Sequence, residues 1–418
     1  MTPKARVIPL TAALLLFLLV SNRTIKLRAE IKPTPLWQFQ AVDTMKYSRD
    51  PAREKLNDPK FSAVVNDQVK RIAETGATHV AIATPYDEEF LPILKLWVNT
   101  ARKYGLSVWF RGNWSGWEGW FGYPKITRQE HLTKTQAFIE NHAPLFADGD
   151  VFSACPECEN GGPGDPRSTG DVAGHRQFLI QEYQITTAAL KKIGKDVRSN
   201  FDSMNGDVAR LIMDKETTAA LGAVVTIDHY VASTDKLVKD IKDFAQKSGG
   251  QVVLGEFGAP IPDIHGQLSA EAQSKWVSDA LEKITGIPEL VGINYWTNQG
   301  SSTALWNLDG SPRPVVGVVT KYFIPVIVSG IIIDDFGNPI KDVKISTVRR
   351  SAMTDNLGIY SLPTLLIDKE VTVSAAGYKS VNIPLKVLKL NTNIELSPIR
   401  EDLFHRILKL IFRIFNHR

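Results

Sequence analysis

Cysteine is almost absent from this sequence: Cys155 and Cys158 are its whole complement. Two thiols cannot supply a closed tetrahedral zinc site, and no H-E-x-x-H motif offers histidines in their place. No Gly-rich phosphate loop follows the first strand-like run, so a bound nucleotide has no anchor and no cofactor is expected. Charge of one sign is also scarce. The formal net charge of +4 is spread along 418 residues, and no nucleic-acid partner is expected. The one long hydrophobic run near the start covers residues 7–20, behind Lys4 and Arg6. It has the form of a secretory n-region and h-region and is short for a membrane span. No A-x-A cleavage site follows, and Arg23, Lys26 and Arg28 come next, so residues 1–30 read as a signal peptide or an N-terminal membrane anchor. Export to the extracellular space or the cell surface is the expectation in either case.

What is present is an ordinary globular composition, 43% hydrophobic and 22% charged, on a chain long enough for two or three domains. Across residues 31–324, apolar strand-like runs alternate with amphipathic stretches, the signature of βα units on a parallel sheet. Strands are expected at 37–43, 79–84, 107–111, 151–154, 196–201, 224–228, 251–256 and 292–296. That spacing fits the α/β class as one (β/α)8 TIM barrel. The pattern changes after Ile324. Residues 325–398 hold short strands between Asp-, Gly- and Asn-bearing turns, which predicts a small all-β sandwich. Residues 399–418 carry Leu403, Phe404, Ile407, Leu408 and Ile411 at helical spacing, with Arg406, Lys409 and Arg413 among them. Such a basic amphipathic helix fits a membrane surface, or it docks on the sandwich.

Barrel enzymes work at the carboxyl ends of their strands, so the residues there matter most. The third strand runs into Arg111, Asn113 and Trp114, with Trp117 and Trp120 beyond. The fourth runs into ACPECENGG with Glu157 and Glu159, and the sixth into Asp228, His229 and Tyr230. The seventh delivers Glu256 between Gly255 and Gly258, and the eighth ends in Tyr295, Trp296 and Asn298. Paired carboxyl groups are what glycosidic bond cleavage needs: one protonates the leaving oxygen while the other attacks the anomeric carbon. Aromatic faces stack on sugar C–H surfaces, and amides and guanidinium groups bind hydroxyls.

LGEFG around Glu256 resembles the nucleophile strand of the clan-A retaining glycoside hydrolases, and ACPECENGG is similar to their acid/base segment. The DHY and YWTNQG segments look like that clan's sixth and eighth strands. The resemblance implies Glu256 as nucleophile and Glu157 as acid/base, with Glu159 as the competing acid/base. It also implies that Tyr230 orients the nucleophile and that Trp296 forms a platform under the sugar. Arg111, Asn113, Trp114 and His229 are the further substrate-binding candidates. Pro156 stands where the clan carries an Asn that contacts the sugar 2-hydroxyl, so Asn113 or Asn160 would have to substitute. Cys155 and Cys158 bracket Glu157 and are either a disulfide closing that loop or two free buried thiols. VSGIIIDDFGNPIKDVKI, TDNLGIYSL and AAGYKS closely resemble the carboxypeptidase regulatory-like domain, a transthyretin-like sandwich, which implies a spacer or adhesion module. The expected function is a retaining glycoside hydrolase acting on a poly- or oligosaccharide, held at the membrane surface by its terminal segments. The alternatives are a transglycosylase on the same residues and a catalytically silent glycan-binding protein.

Overall fold

The computed structural model describes residues 34–365, 367–388 and 392–399. The terminal segments read above as a signal or anchor and as a basic helix lie outside the described residues. Among the described residues no helix is long and apolar enough to cross a membrane.

Eight parallel strands form one sheet: β1 (Phe39–Asp43), β2 (His79–Ile82), β3 (Ser107–Phe110), β4 (Val151–Phe152), β5 (Ser203–Asn205), β6 (Val224–Asp228), β7 (Gln251–Phe257) and β8 (Leu290–Tyr295). Their spatial order is β4-β3-β2-β1-β8-β7-β6-β5. A parallel bridge between Val151 and Arg198 ties the β4 edge to the approach to β5, so the sheet curls into the expected (β/α)8 barrel. One strand lies later than its apolar run suggested. Residues 196–201 are the approach containing that bridge, and the fifth strand proper begins at Ser203. The strands are buried along nearly their whole length, which is why they read as continuous apolar runs.

Helices alternate with the strands: α1 (Phe61–Glu74), α2 (Leu91–Lys103), α3 (Arg128–Asn141), α4 (Val172–Lys192), α5 (Gly206–Ile212), α6 (Lys215–Ala220), α7 (Thr234–Ser248), α8 (Ala270–Ile284) and α9 (Pro314–Phe323). Their starts are written locally. Thr127 and Glu130 close a capping box on α3, and Ser233 and Ser269 cap α7 and α8. Such caps contribute about 1 kcal/mol each. In α7, Leu237, Ile241, Phe244 and Ala245 recur at helical spacing and form the buried face.

Inside the barrel, side chains are layered. An apolar layer holds Phe39, Ala41, Trp109, Phe201 and Val253, with Phe201 meeting Phe39 and Trp109 edge to face at 4.7 and 5.5 Å between ring centroids. Two residues further along β1 and just past β3, the same inward parity brings Asp43 and Arg111. The inner core therefore turns from apolar to ionic toward the carboxyl ends of the strands.

After α9 comes a sandwich of two small sheets. One contains Lys344–Ser346, Ser351–Met353, Glu370–Ser374 and Val381–Pro384, and the other Val326–Asp334, Ile359–Thr364 and Ile394–Leu396. The pairs are antiparallel except Val326–Asp334 with Ile394–Leu396, which is parallel. Val328, Ile332, Val343, Ile345, Tyr360 and Leu362 belong to its own core. Arg349 reaches the barrel, donating to Thr285 Oγ1 at 2.9 Å while it pairs with Asp368.

Candidate active site

Glu256 sits in β7, yet a regular strand would not aim it inward beside Val253. The register with β6 shifts there: Leu254 pairs with Ile227, and Glu256 pairs with Asp228. Gly255 is the extra residue, a bulge that turns Glu256 toward the barrel axis. A Cβ on Gly255 would stand 2.6 Å from Asp228 Oδ1 and 2.7 Å from Ser203 Cβ. Glycine at this position therefore makes room for the carboxyl cluster.

Carboxylate oxygens of Glu157, Asp228 and Glu256 lie within 4.8 Å of one another. Arg111 is buried among them, with Nη1 2.7 Å from Asp43 Oδ2 and both Nη atoms 3.3 Å from Glu256 Oε1. Its Nη2 lies 3.4 Å from both oxygens of Asp228. Burial works against the guanidinium's charge, but Asp228, Glu256 and Asp43 outweigh it and hold its pKa above the ordinary value. Asn294 Nδ2 donates to Asp43 at 3.1 Å and fixes that carboxylate.

The Tyr230 hydroxyl donates to Glu256 Oε2 at 2.8 Å. Burial pushes the Glu256 carboxyl up to about 7; Arg111 pulls it down, Glu157 and Asp43 push it up, and the Tyr230 bond pulls it down. Asp228 is pushed well above the carboxylate range by burial and then by the charge of Glu256. Trp296 stands over this side, half-buried, with its ring 6.2 Å from that of Tyr230 and Lys46 Nζ 5.9 Å from its centroid.

Glu157 is held differently. It lies on the loop after β4 with φ 47° and ψ 46°, a left-handed conformation. Its backbone N–H donates to Ser203 O at 2.6 Å. Cys155 and Cys158 are joined by a disulfide across it. Trp117 Nε1 donates to Cys158 O at 3.2 Å, and Gly162 N–H donates to Trp117 O at 2.9 Å. A Cβ on Gly161 would stand 2.3 Å from Trp117 O, so the two loops touch backbone to backbone.

Glu159 is not in the carboxyl cluster. Its Oε1 accepts from the Asn205 backbone N–H at 2.7 Å and from Asn205 Nδ2 at 3.0 Å, and the side chain is buried under the loop. Burial pushes it up to about 7, against the Asn205 bonds.

Three expected binding residues are not brought to the carboxyl cluster. The Trp114 ring packs among Tyr86 and Phe138, and its Nε1 donates to Thr135. His229 Nε2 is 2.8 Å from Asp240, and burial lowers its pKa against the charge of that partner. Asn113 is fully buried, its Oδ1 accepting from Trp114 N–H at 2.7 Å and its Nδ2 donating to Glu118 Oε1 at 2.7 Å. Its amide is thus committed to structure, while Asn160 is exposed. Asp228 is legible in the sequence as a strand-end carboxylate without a role, and Asp43 is not singled out at all; the inward parity of Asp43 and the bulge opposite Asp228 are the signals that place them.

No protein-family model and no curated protein matches the sequence. Among solved structures, the chain is similar to GH5_18 from Streptomyces cattleya in complex with GlcNAc, with TM-score 0.51 and 14% identity over 68% of this chain and 79% of that one. That likeness shows the barrel fold. Two weaker likenesses are a Bacteroides uniformis beta-glucuronidase 2 (TM-score 0.44, 12% identity, 80% of this chain and 44% of that one) and an FMN-binding beta-glucuronidase from Facaelibacterium prausnitzii L2-6 (TM-score 0.46, 11% identity, 90% and 58%). The chain spans less than two thirds of the length of either glucuronidase.

Proposed function

We propose that this chain is a retaining glycoside hydrolase, with Glu256 as nucleophile and Glu157 as acid/base. The observation that carries the reading is the approach of the two carboxylates at the mouth of a barrel, within 4.8 Å between oxygens. Retaining enzymes hold their pair about 5–5.5 Å apart, whereas inverting ones leave roughly 6.5–9.5 Å for a water. In this reading Glu157 protonates the glycosidic oxygen as Glu256 attacks the anomeric carbon, and the C–O bond to the leaving group breaks. Glu157 then takes a proton from water, whose oxygen displaces Glu256 from the glycosyl-enzyme. Tyr230 and Arg111 steady the Glu256 carboxylate, and Trp296 supplies an apolar face for the sugar. The guanidinium also supplies the positive charge that so many neighbouring acids require.

We also propose that the protein is exported and held at a surface, because residues 7–20 resemble an export segment and residues 401–418 carry a basic apolar pattern. The sandwich would then act as a spacer. The test is stereochemical. Nuclear magnetic resonance of the first-formed product from a panel of labelled oligosaccharides should give the anomeric configuration of the substrate. An inverted product, or no turnover across the panel, contradicts the reading.

A further inference from the structure

Glu118 ends the short helix Ser115–Glu118 that follows β3, and the loop contacts made through Trp117 set it beside the Glu157 loop. It is held from behind by a buried chain. Because Trp114 N–H donates to Asn113 Oδ1, the amide orientation is fixed and Nδ2 must face Glu118 Oε1. His131 Nε2, 2.9 Å from the same Oδ1, must then carry its proton and donate. The other ring nitrogen lies 3.1 Å from Glu182 Oε1, which is fully buried. Glu182, His131 and Asn113 thus line up behind one oxygen of Glu118.

The other oxygen, Oε2, has no hydrogen-bond partner among the described residues, and Glu118 is partly exposed. Burial pushes its carboxyl up to about 8; the Asn113 bond opposes this and Glu157 adds to it, so near neutrality Oε2 is available as a donor. Two residues further on is Trp120, also partly exposed, with the Arg49 guanidinium 4.8 Å from its ring centroid; Arg49 pairs with Asp50, and its charge also acts on Glu118. An aromatic face, a guanidinium and a carboxyl with one free oxygen make a surface suited to a sugar ring and its hydroxyls.

The topology says which sugar. β3 and β7 stand on opposite sides of the barrel, and the β4 loop with Glu157 adjoins β3. The group that protonates the glycosidic oxygen lies next to the leaving group. Building on the glycosidase reading, we propose that Glu118, Trp120 and Arg49 form the subsite for the leaving-group sugar. The same surface would hold an acceptor sugar if the glycosyl-enzyme is resolved by a hydroxyl other than that of water.

The test compares two substrates that share the reacting sugar. One is a nitrophenyl glycoside, which has no leaving-group sugar, and the other is the matching disaccharide. Gluco-, manno- and xylo-configured pairs are assayed with the wild type, and the fastest pair is used. Glu118→Ala and Trp120→Ala should each lower kcat/KM for the disaccharide about 10- to 100-fold, the worth of one or two lost contacts. Both should leave the nitrophenyl glycoside within about 3-fold, which also shows that the variants fold. Glu118→Gln keeps an acceptor for Asn113 and a donor for the sugar and should recover most of the disaccharide rate. Equal losses on both substrates, or an unchanged disaccharide rate, overturn the subsite. Wild-type protein that cleaves neither member of any pair overturns the glycosidase reading itself, a distinct result.

Discussion

Glu256 and Glu157 approach each other at the carboxyl ends of the barrel strands, but the chain holds them by opposite means. Glu256 belongs to a strand, and a single bulge at Gly255 aims it inward beside Asp228. Its supports are other strand ends: Arg111 after β3 and Tyr230 after β6. Glu157 rides on a loop in a left-handed conformation, fixed by a disulfide, by Trp117 and by a bond to β5. A strand-borne group needs one local irregularity, whereas a loop-borne group needs several contacts from distant parts of the chain. Perturbing the first should therefore act on chemistry, and perturbing the second should act on geometry and stability together.

The widest separation comes from removing the carboxylates themselves. Glu256→Ala should lower kcat by about 10,000-fold or more on every substrate, since no covalent intermediate can form. Azide should partly restore turnover, giving a glycosyl azide of inverted configuration. Glu157→Ala should lose about 100- to 1,000-fold on substrates with poor leaving groups and only a few-fold on activated ones. Equal losses on both substrate types would remove Glu157 from the acid/base role.

Next is the support of Glu256. Tyr230→Phe deletes a hydrogen bond that stabilises the ionised carboxylate, so the pKa of Glu256 rises further. In the proposed role Glu256 must be ionised, so the acid limb of the kcat/KM profile should move about one pH unit upward, with a loss of about 10-fold at neutral pH. An acid limb that stays where it is would detach Tyr230 from this role.

Smaller effects are expected on the Glu157 side. Replacing Cys155 and Cys158 with Ser opens a very short loop, worth about 2 kcal/mol in chain entropy. Thermal unfolding should fall by a few degrees, and activity should fall more on poor leaving groups than on activated ones. The same loss on both substrate types would mean that the disulfide supports the fold and not the acid/base geometry.

The smallest effect concerns Glu159. Its folded-state pKa, about 7, lies above the ordinary value of 4.5. Its neutral form is favoured by folding, so the stability it contributes is full below pH of about 4 and is lost as pH rises through about 7. Glu159→Gln should therefore raise the melting temperature at pH of about 8 and change it little at pH of about 4. Leaving-group selectivity should stay as in the wild type. A variant with the selectivity expected of Glu157→Ala would move the acid/base role to Glu159.

The same contrast explains what the sequence made legible. Continuous apolar runs marked seven of the eight strands within a few residues, because strands buried on both faces carry little else. The fifth was misplaced because its lead-in, with Val197 and Phe201, is itself apolar and bridges to β4. LGEFG drew attention to Glu256 through glycines that the bulge and its crowded neighbours require. Trp114, Asn113 and His229 also stand near strand ends, but their side chains turn into the packing between barrel and helices. Parity could be counted along the strands, whereas past the strand ends it is set by loop backbone that no periodicity records. Glu118 entered only through contacts with Asn113, itself held by His131 on α3.

The central claim is that Glu256 forms a covalent bond to the reacting sugar. Incubating the protein with a 2-fluoro glycoside carrying an activated leaving group should trap the glycosyl-enzyme, and mass spectrometry of its peptides should find the sugar on Glu256. A label on Glu157, Asp228 or Glu159, or full turnover with no labelled peptide and an inverted product, would contradict the account.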